Sequence, residues 1–371
     1  MEYINSITRA DLAVCENAKT FLQSSMWGEF KSRFGWAAKA FLVNWFINDT
    51  EINAPLLVLE KKLIRGFSFS YIPWGPQLDE SFAKGQKEKA AAQLADKIKP
   101  FLAHNTIFLR FDFPWFYTEE NLGGESDAQT ESCLLPASGF KKAAASVQPP
   151  DTVIVNLDFS LEHILARMKP KWRYNISLAG KKGVHVKTGS IKEIEVFYSL
   201  LKETAARDGI LIHNIDYYKT LFEICADTHG QNNEVIRLYI ASHESDTLAS
   251  IVVLFHGEYA TYLYGASSNV KRNLMASYAL QWKAMQDAKE AGCLYYDLFG
   301  IPPNDDPKHP MEGLYRFKTG FGGNIIHRPG SWDYPYKKLI YKLFNIAERL
   351  RKKIFNLRKT SRHGTKAQGI G

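Results

Sequence analysis

The sequence predicts a mixed α/β (α+β) protein of two tandem domains in which one unit of strands and helices occurs twice. The first observation is length. At 371 residues, 45% hydrophobic and 13% aromatic, the chain is too long for one ordinary core and apolar enough to fill two. The second is repetition. KTFLQSSMWGEFKSRFGW (19–36) is a helix-like run ending in Arg33-Phe34-Gly35, and IEVFYSLLKETAARDGI (194–210) ends in Arg207-Asp208-Gly209. IFLRFDFP (107–114) and CLYYDLFGIP (293–302) are aromatic-rich strands that place Asp112 and Asp297 before a proline. Both pairs recur at similar separations, as an internal duplication requires. The third is the element pattern: strands joined as hairpins and crossed by single helices, which pack on a sheet.

In the first half, APLLVLEKK and GFSFSYIP are strands separated by the turn-prone Arg65-Gly66, and a helix follows over 85–99. In the second, VIRLYIAS, LASIVVLF and ATYLYGAS form a meander with a hairpin signal at His256-Gly257, and a helix follows over 277–291. The Ser-, Ala- and Pro-rich stretch 125–151 reads as a linker, so the expected domains are 1–150 with 330–371, and 151–329. Near the C-terminus Leu339, Leu343, Ile346, Leu350, Ile354 and Leu357 recur at helical spacing. This helix is expected to return to the first domain and dock on it, basic face outward. A membrane-surface helix beside anionic lipid is the alternative.

Charge narrows the classes of partner. The net charge is +8, but from Glu348 to Gly371 there are eight Lys or Arg and one acid, so the remaining body is close to neutral. Any polyanion site is then a local patch rather than a general field. The four cysteines, Cys15, Cys133, Cys225 and Cys293, are widely spaced, with no CxxC pair, which points to a reducing cytoplasm and to no zinc site. The N-terminal stretch lacks the basic start and apolar run of a signal peptide, and the longest apolar run, Leu248–Phe255, is too short to span a bilayer.

Two segments stand out chemically. KPKWRYNISLAGKKG (169–183) sets Lys169, Lys171, Arg173, Lys181 and Lys182 around Trp172, Ile176 and Ala179, a basic patch or a solvated helix face. RFKTGFGG (316–323) joins Phe317 and Lys318 to Gly320, Gly322 and Gly323, whose backbone can turn tightly and approach a ligand. The duplicated unit with its meander suggests GNAT-like acyltransferase domains. In that fold a glycine turn at a helix start cradles the CoA pyrophosphate. Here the corresponding VKRNLMASYALQW offers Leu274, Met275 and Ala276 and no glycine, which argues for a different acyl donor.

KPKWRYNISLAGKKGV, ETAARDGI, YLYGASS, YDLFGIP and GLYRFKTGFGG, in that order, resemble the Fem family (FemA, FemB and FemX types) of peptidoglycan bridge aminoacyltransferases. With no long heptad insertion, the chain is most similar to the smaller FemX type. The resemblance implies a tandem pair of GNAT-like domains that move an amino acid from aminoacyl-tRNA to the side-chain amine of the stem peptide, on UDP-MurNAc-pentapeptide or lipid II. It implies Lys31 and Arg207 as a clamp on the precursor diphosphate, with Asp112 and Tyr264 lining the precursor site. It also implies that Phe317 stacks on the tRNA 3′ adenine, that Lys318 stabilises the tetrahedral oxyanion, and that the 169–182 segment faces tRNA phosphates. Asp112 is a candidate to orient or deprotonate the amine. No cofactor or metal is expected, and a monomer with peripheral contact to the inner membrane surface is. A CoA-dependent N-acyltransferase and a non-catalytic tRNA- or membrane-binding protein remain as alternatives.

Overall fold

The computed structural model describes residues 2–78, 82, 85–115, 117–118, 139–227 and 234–364. The first half runs through β1 (Ile4–Ala10), α1 (Ser25–Ser32), β2 (Trp36–Ile47), β3 (Thr50–Lys62), β4 (Ser68–Ile72), α2 (Gln86–Ile98), β5 (Thr106–Asp112), β6 (Tyr117–Thr118) and β7 (Lys141–Lys142). The second runs through β8 (Asp151–Asn156), α3 (Leu161–Arg167), α4 (Pro170–Lys181), β9 (His185–Gly189), α5 (Ile194–Asp208), α6 (Ile215–Asp227), β10 (Glu234–His243), β11 (Asp246–His256), β12 (Tyr259–Ser267), α7 (Ala276–Glu290), β13 (Tyr295–Asp297), α8 (Glu312–Thr319) and β14 (Asn324–His327). β15 (Ser331–Pro335) and α9 (Lys338–Gly364) close the chain.

Among the described residues these strands form a seven-stranded sheet, β1-β2-β3-β4-β5-β15-β7, and an eight-stranded sheet, β6-β14-β8-β13-β12-β11-β10-β9. Read from β1 and from β9, the two orders are the same. Each has a run of antiparallel neighbours, one parallel pair (β4·β5 and β12·β13) and then an antiparallel strand (β15 and β8). The parallel pair needs a crossover, supplied by α2 in one sheet and α7 in the other. β5 and β13 thus occupy the same place, and they carry Asp112 and Asp297. The turn glycines also correspond, since Gly35 and Gly209 both take positive φ, 74° and 64°.

The halves do not sit on separate cores throughout. Trp27, Phe30 and Tyr71 of the first half share one buried cluster with Phe197, Tyr217, Leu221 and Leu254 of the second. Residues 139–151 are not the free linker expected, because Lys141–Lys142 pairs with β15 and Phe140 is buried. The rest of that stretch, 125–138, lies outside the described residues.

The chain returns to the first sheet through a buried ion pair across β5 and β15, Arg110 Nε to Asp333 at 2.6 Å, and Tyr341 of α9 donates to the same carboxylate. The docking face of α9 differs from the expected one. Ile340, Tyr341 and Phe344 pack on Ile107 and Phe108, while Leu339, Leu343, Ile346 and Leu350 are 54–77% exposed. These four residues of the stripe point outward, and Ile354 and Leu357 lie outside the residues whose side chains are described. No helix among the described residues is long and apolar enough to cross a membrane.

Candidate active site

Lys31 occupies the seam between the halves. Ser24 caps α1 by accepting from the Trp27 amide, and four residues on from Trp27 the helix presents Lys31 on the same face. Its Nζ lies 5.4 Å from the Trp27 ring centroid, 5.6 Å from Tyr217 of α6, 5.8 Å from Phe30 and 5.9 Å from Trp36. Among the described residues no carboxylate pairs with it. Burial, with the neighbouring Lys61, pulls its pKa down to about 8. His213 stacks on Tyr217 with centroids 3.8 Å apart, and Tyr264 meets Tyr218 edge to face at 5.1 Å. The seam therefore joins Lys31 and Tyr264 through the α6 tyrosines. A cation set among ring faces, with a second cation nearby and no counter-charge, is a ready anion site.

Arg207 is already engaged. Nε and Nη2 take both oxygens of Asp208, and Nη1 donates to the Ser267 carbonyl and Asn269. Of the implied diphosphate clamp, one cation is uncommitted and the other is tied to the end of β12.

Lys318 lies where the second sheet splays. The β12·β13 pairing stops at Thr261–Asp297, while β12 continues to Ser267. The buried Nζ, on the last turn of α8, donates to the Phe299 carbonyl at 2.6 Å and the Gly300 carbonyl at 2.9 Å, 5.2 Å from the Tyr262 ring centroid. Burial pulls its pKa down to about 7, against an opposing pull from Asp297. An ammonium has three N–H donors and a neutral amine two. Two go to these carbonyls, so only the protonated form has one to offer a substrate.

The glycines after Lys318 do something other than expected. A Cβ on Gly320 would sit 2.1 Å from Trp172, one on Gly322 2.5 Å from the Arg167 carbonyl oxygen, and one on Gly323 2.6 Å from that of Ile154. They let the chain approach itself rather than a ligand. The result is a brace: Trp172 of α4 lies on Gly320 and its indole donates to the Phe317 carbonyl at 2.9 Å. Phe317 is half-buried, with Tyr278 and Phe321 each 5.2 Å away near right angles.

Through this brace the basic helix is fixed beside Lys318. Lys169, Lys171, Lys181 and Lys182 are exposed. Arg173 is half-buried, and its Nη1 donates to the carbonyls of Ala166 and Met168 and so closes the end of α3.

Asp112 is buried on β5 opposite Ser331, and both its oxygens are occupied, one by Ser331 and the other by Tyr71 and the Gln148 amide. Burial raises its pKa, and these donors oppose the rise. Its counterpart Asp297 takes the Thr152 hydroxyl and the Phe299 amide on one oxygen, Oδ1, and lines an inter-sheet cavity. The repeat pointed to both acids. Tyr217, His213 and Trp36 gave no sequence signal, since only the fold brings them to Lys31.

Comparison with known proteins places this arrangement. A lipid II:glycine glycyltransferase of Staphylococcus saprophyticus is 23% identical over 393 residues, spanning 89% of this chain and 92% of that protein. One from Staphylococcus aureus (strain COL) is 24% identical over 387 residues, spanning 87% and 89%. The crystal structure of FemX superposes with a TM-score of 0.74 at 21% identity, covering 92% of this chain and 100% of that one. A tandem GNAT protein from the clavulanic acid biosynthesis pathway superposes at 0.51 with 13% identity, covering 89% and 98%. The repeated sheet order is accordingly that of two tandem GNAT-like units. The FemAB family profile matches residues 13–236 and 226–349, so this chain belongs to the FemAB family and is an aminoacyltransferase.

Proposed function

We propose that the protein transfers an aminoacyl group from aminoacyl-tRNA to the side-chain amine of a peptidoglycan precursor stem peptide of the lipid II type, in building the interpeptide bridge. The observation that carries this reading is the bracing of an exposed lysine-rich helix against a buried ammonium in the splay of the second sheet. The helix suits tRNA phosphates and the ammonium a developing oxyanion. The amine attacks the ester carbonyl and a C–N bond forms. The tetrahedral oxyanion then collapses with loss of the terminal ribose oxygen, which leaves as the hydroxyl by taking up the proton that the amine gives up. Lys318 steadies the oxyanion, Phe317 presents a ring to the terminal base, and Lys31 holds a precursor phosphate, with Tyr264 beside it. The relatives' names support a lipid-linked acceptor, as does the outward stripe Leu339, Leu343, Ile346 and Leu350 on a basic helix. Co-sedimentation with anionic vesicles tests that contact. The test of the whole reading is mass spectrometry of the stem peptide after incubation with lipid-linked or nucleotide-linked precursor and a charged tRNA mixture. An unchanged peptide mass with both precursors sinks it.

Lys31→Ala is expected to weaken precursor binding by about 1.5–3 kcal/mol, the range for a charge-assisted contact, while tRNA binding holds. Arg207→Ala is expected to do less to affinity. Since Lys31 loses its proton as pH rises through about 8, precursor affinity should fall above that pH in the unmodified protein and not in Lys31→Ala. Calorimetry across pH 6–10 checks both, and equal affinity at both ends removes Lys31 from the site.

Neutralising Lys169, Lys171, Lys181 and Lys182 together is expected to lower tRNA affinity and flatten its dependence on log salt by up to about 3–4 units. Arg173→Gln should leave the slope alone and lower the melting temperature instead. An unchanged slope in the quadruple variant returns α4 to a solvated face.

A further inference from the structure

A cavity of about 620 Å³ lies between the halves, walled by Phe21, Trp74 and Pro114 on one side and by Tyr259, Asp297 and Arg328 on the other. That volume is within the roughly 300–1,000 Å³ range of small-ligand sites. Arg328 follows β14 directly, and its guanidinium carbon lies 4.1 Å from the Trp74 ring centroid. Its Nε and Nη1 are buried and, among the described residues, meet no hydrogen-bond acceptor. Arg110 shows how this chain satisfies a buried guanidinium: its Nε and Nη2 meet the two oxygens of Asp333 at 2.6 and 2.9 Å. Arg328 has no such carboxylate among the described residues, and Nη2, outside that closed-off pair, is the nitrogen that can meet a group in the cavity Arg328 lines. Leaving a buried cation without a counter-charge is expensive, and a guanidinium N–H holds a carboxylate through a charge-assisted hydrogen bond.

The cavity's other charges narrow the ligand. Glu16, Glu258 and Asp297 line it with Lys19 and Arg328, three acids against two bases. A doubly charged phosphate is disfavoured there, and a peptide bearing amines as well as carboxylates is suited. The cavity also adjoins the Lys318 centre. Trp74 meets Phe299 at 6.1 Å between ring centroids, and the Phe299 carbonyl is one of the two that Lys318 holds.

We infer that this cavity seats the acceptor peptide, with one of its carboxylates on the Nη2 of Arg328. The inference rests on the acceptor assigned above. The carboxylate comes either from the chain end or from a side chain of the peptide. The probes are the muramyl pentapeptide, in whichever of its nucleotide-linked or lipid-linked forms the unmodified protein binds, and versions with each carboxylate amidated in turn.

Amidating one carboxylate is expected to weaken binding to the unmodified protein about tenfold or more. Arg328→Gln should bind the parent peptide that much more weakly and no longer distinguish it from the amidated one, and Arg328→Lys should recover part of the difference. Which amidation matters tells chain end from side chain. Removing an unpaired buried charge should not lower the melting temperature, and the amidation series on the unmodified protein reads the site without any variant. Binding that ignores every amidation, or discrimination that survives in Arg328→Gln, overturns the inference alone. Failure of the unmodified protein to bind or modify either precursor form overturns the acceptor assignment and this inference with it.

Discussion

Lys318→Met is expected to lower the turnover of aminoacyl transfer about 100-fold or more at saturating substrates, with both substrates still bound. A fixed cation accelerates the step only so far as it favours the tetrahedral oxyanion over the planar ester. Lys318 meets that condition because its Nζ is pre-positioned by the Phe299 and Gly300 carbonyls in a buried site. Little reorganisation is left for the moment of reaction. The pH dependence follows with a definite sign. Burial holds the Lys318 pKa down to about 7, so its charged share falls as pH rises through that value and turnover should fall with it. The acceptor amine must lose a proton to attack, which gives the opposite limb at lower pH. Single-turnover rates from pH 5.5 to 9 check this. In Lys318→Met the falling limb should vanish and the rising limb remain. Near-normal turnover in the variant would make Lys318 a structural anchor of the 299–300 segment.

Gly322→Ala is expected to destabilise the fold by about 2–5 kcal/mol, from overpacking added to a left-handed backbone that side chains resist. At Gly322 φ is +79°, and a Cβ would lie 2.5 Å from the Arg167 carbonyl oxygen, a backbone atom that cannot swing aside. The chain there passes between β8 and the end of α3, so relief requires moving a strand or a helix. Gly313→Ala, where nothing lies within 4 Å, is the control and should be neutral or mildly stabilising. Urea unfolding of the two variants gives the comparison. A Gly322→Ala protein as stable as the parent, but unable to bind charged tRNA, would restore these glycines to the role of ligand approach.

The sequence by itself determined the elements and their duplication, because both depend on short-range regularities. Alternating strands, helical periodicities and the Arg-x-Gly helix ends put β5 and β13 in matching places and marked Asp112 and Asp297, the RFKTGFGG motif marked Lys318, and Lys31 came only from the family resemblance. What it did not determine were the directions and partners of side chains, which depend on contacts between distant segments. Tyr262 and Tyr264 are two apart and by strand parity share a face. In the sheet, Tyr264 pairs with Val252 and Tyr262 with Val253, so a bulge at Leu263 turns one tyrosine to Lys318 and the other to the α6 seam. Four basic residues of similar appearance in the sequence likewise diverge. Arg207 is spent on Asp208 and Arg173 on carbonyls, whereas Lys31 is left among rings and Arg328 idle in a cavity. The stripe on α9 fits a docked helix equally well in sequence, and only the packing of Ile340, Tyr341 and Phe344 on β5 turns Leu339, Leu343, Ile346 and Leu350 out. Local sequence sets which groups are present. The packing of two like units against each other sets which of them remain free to act.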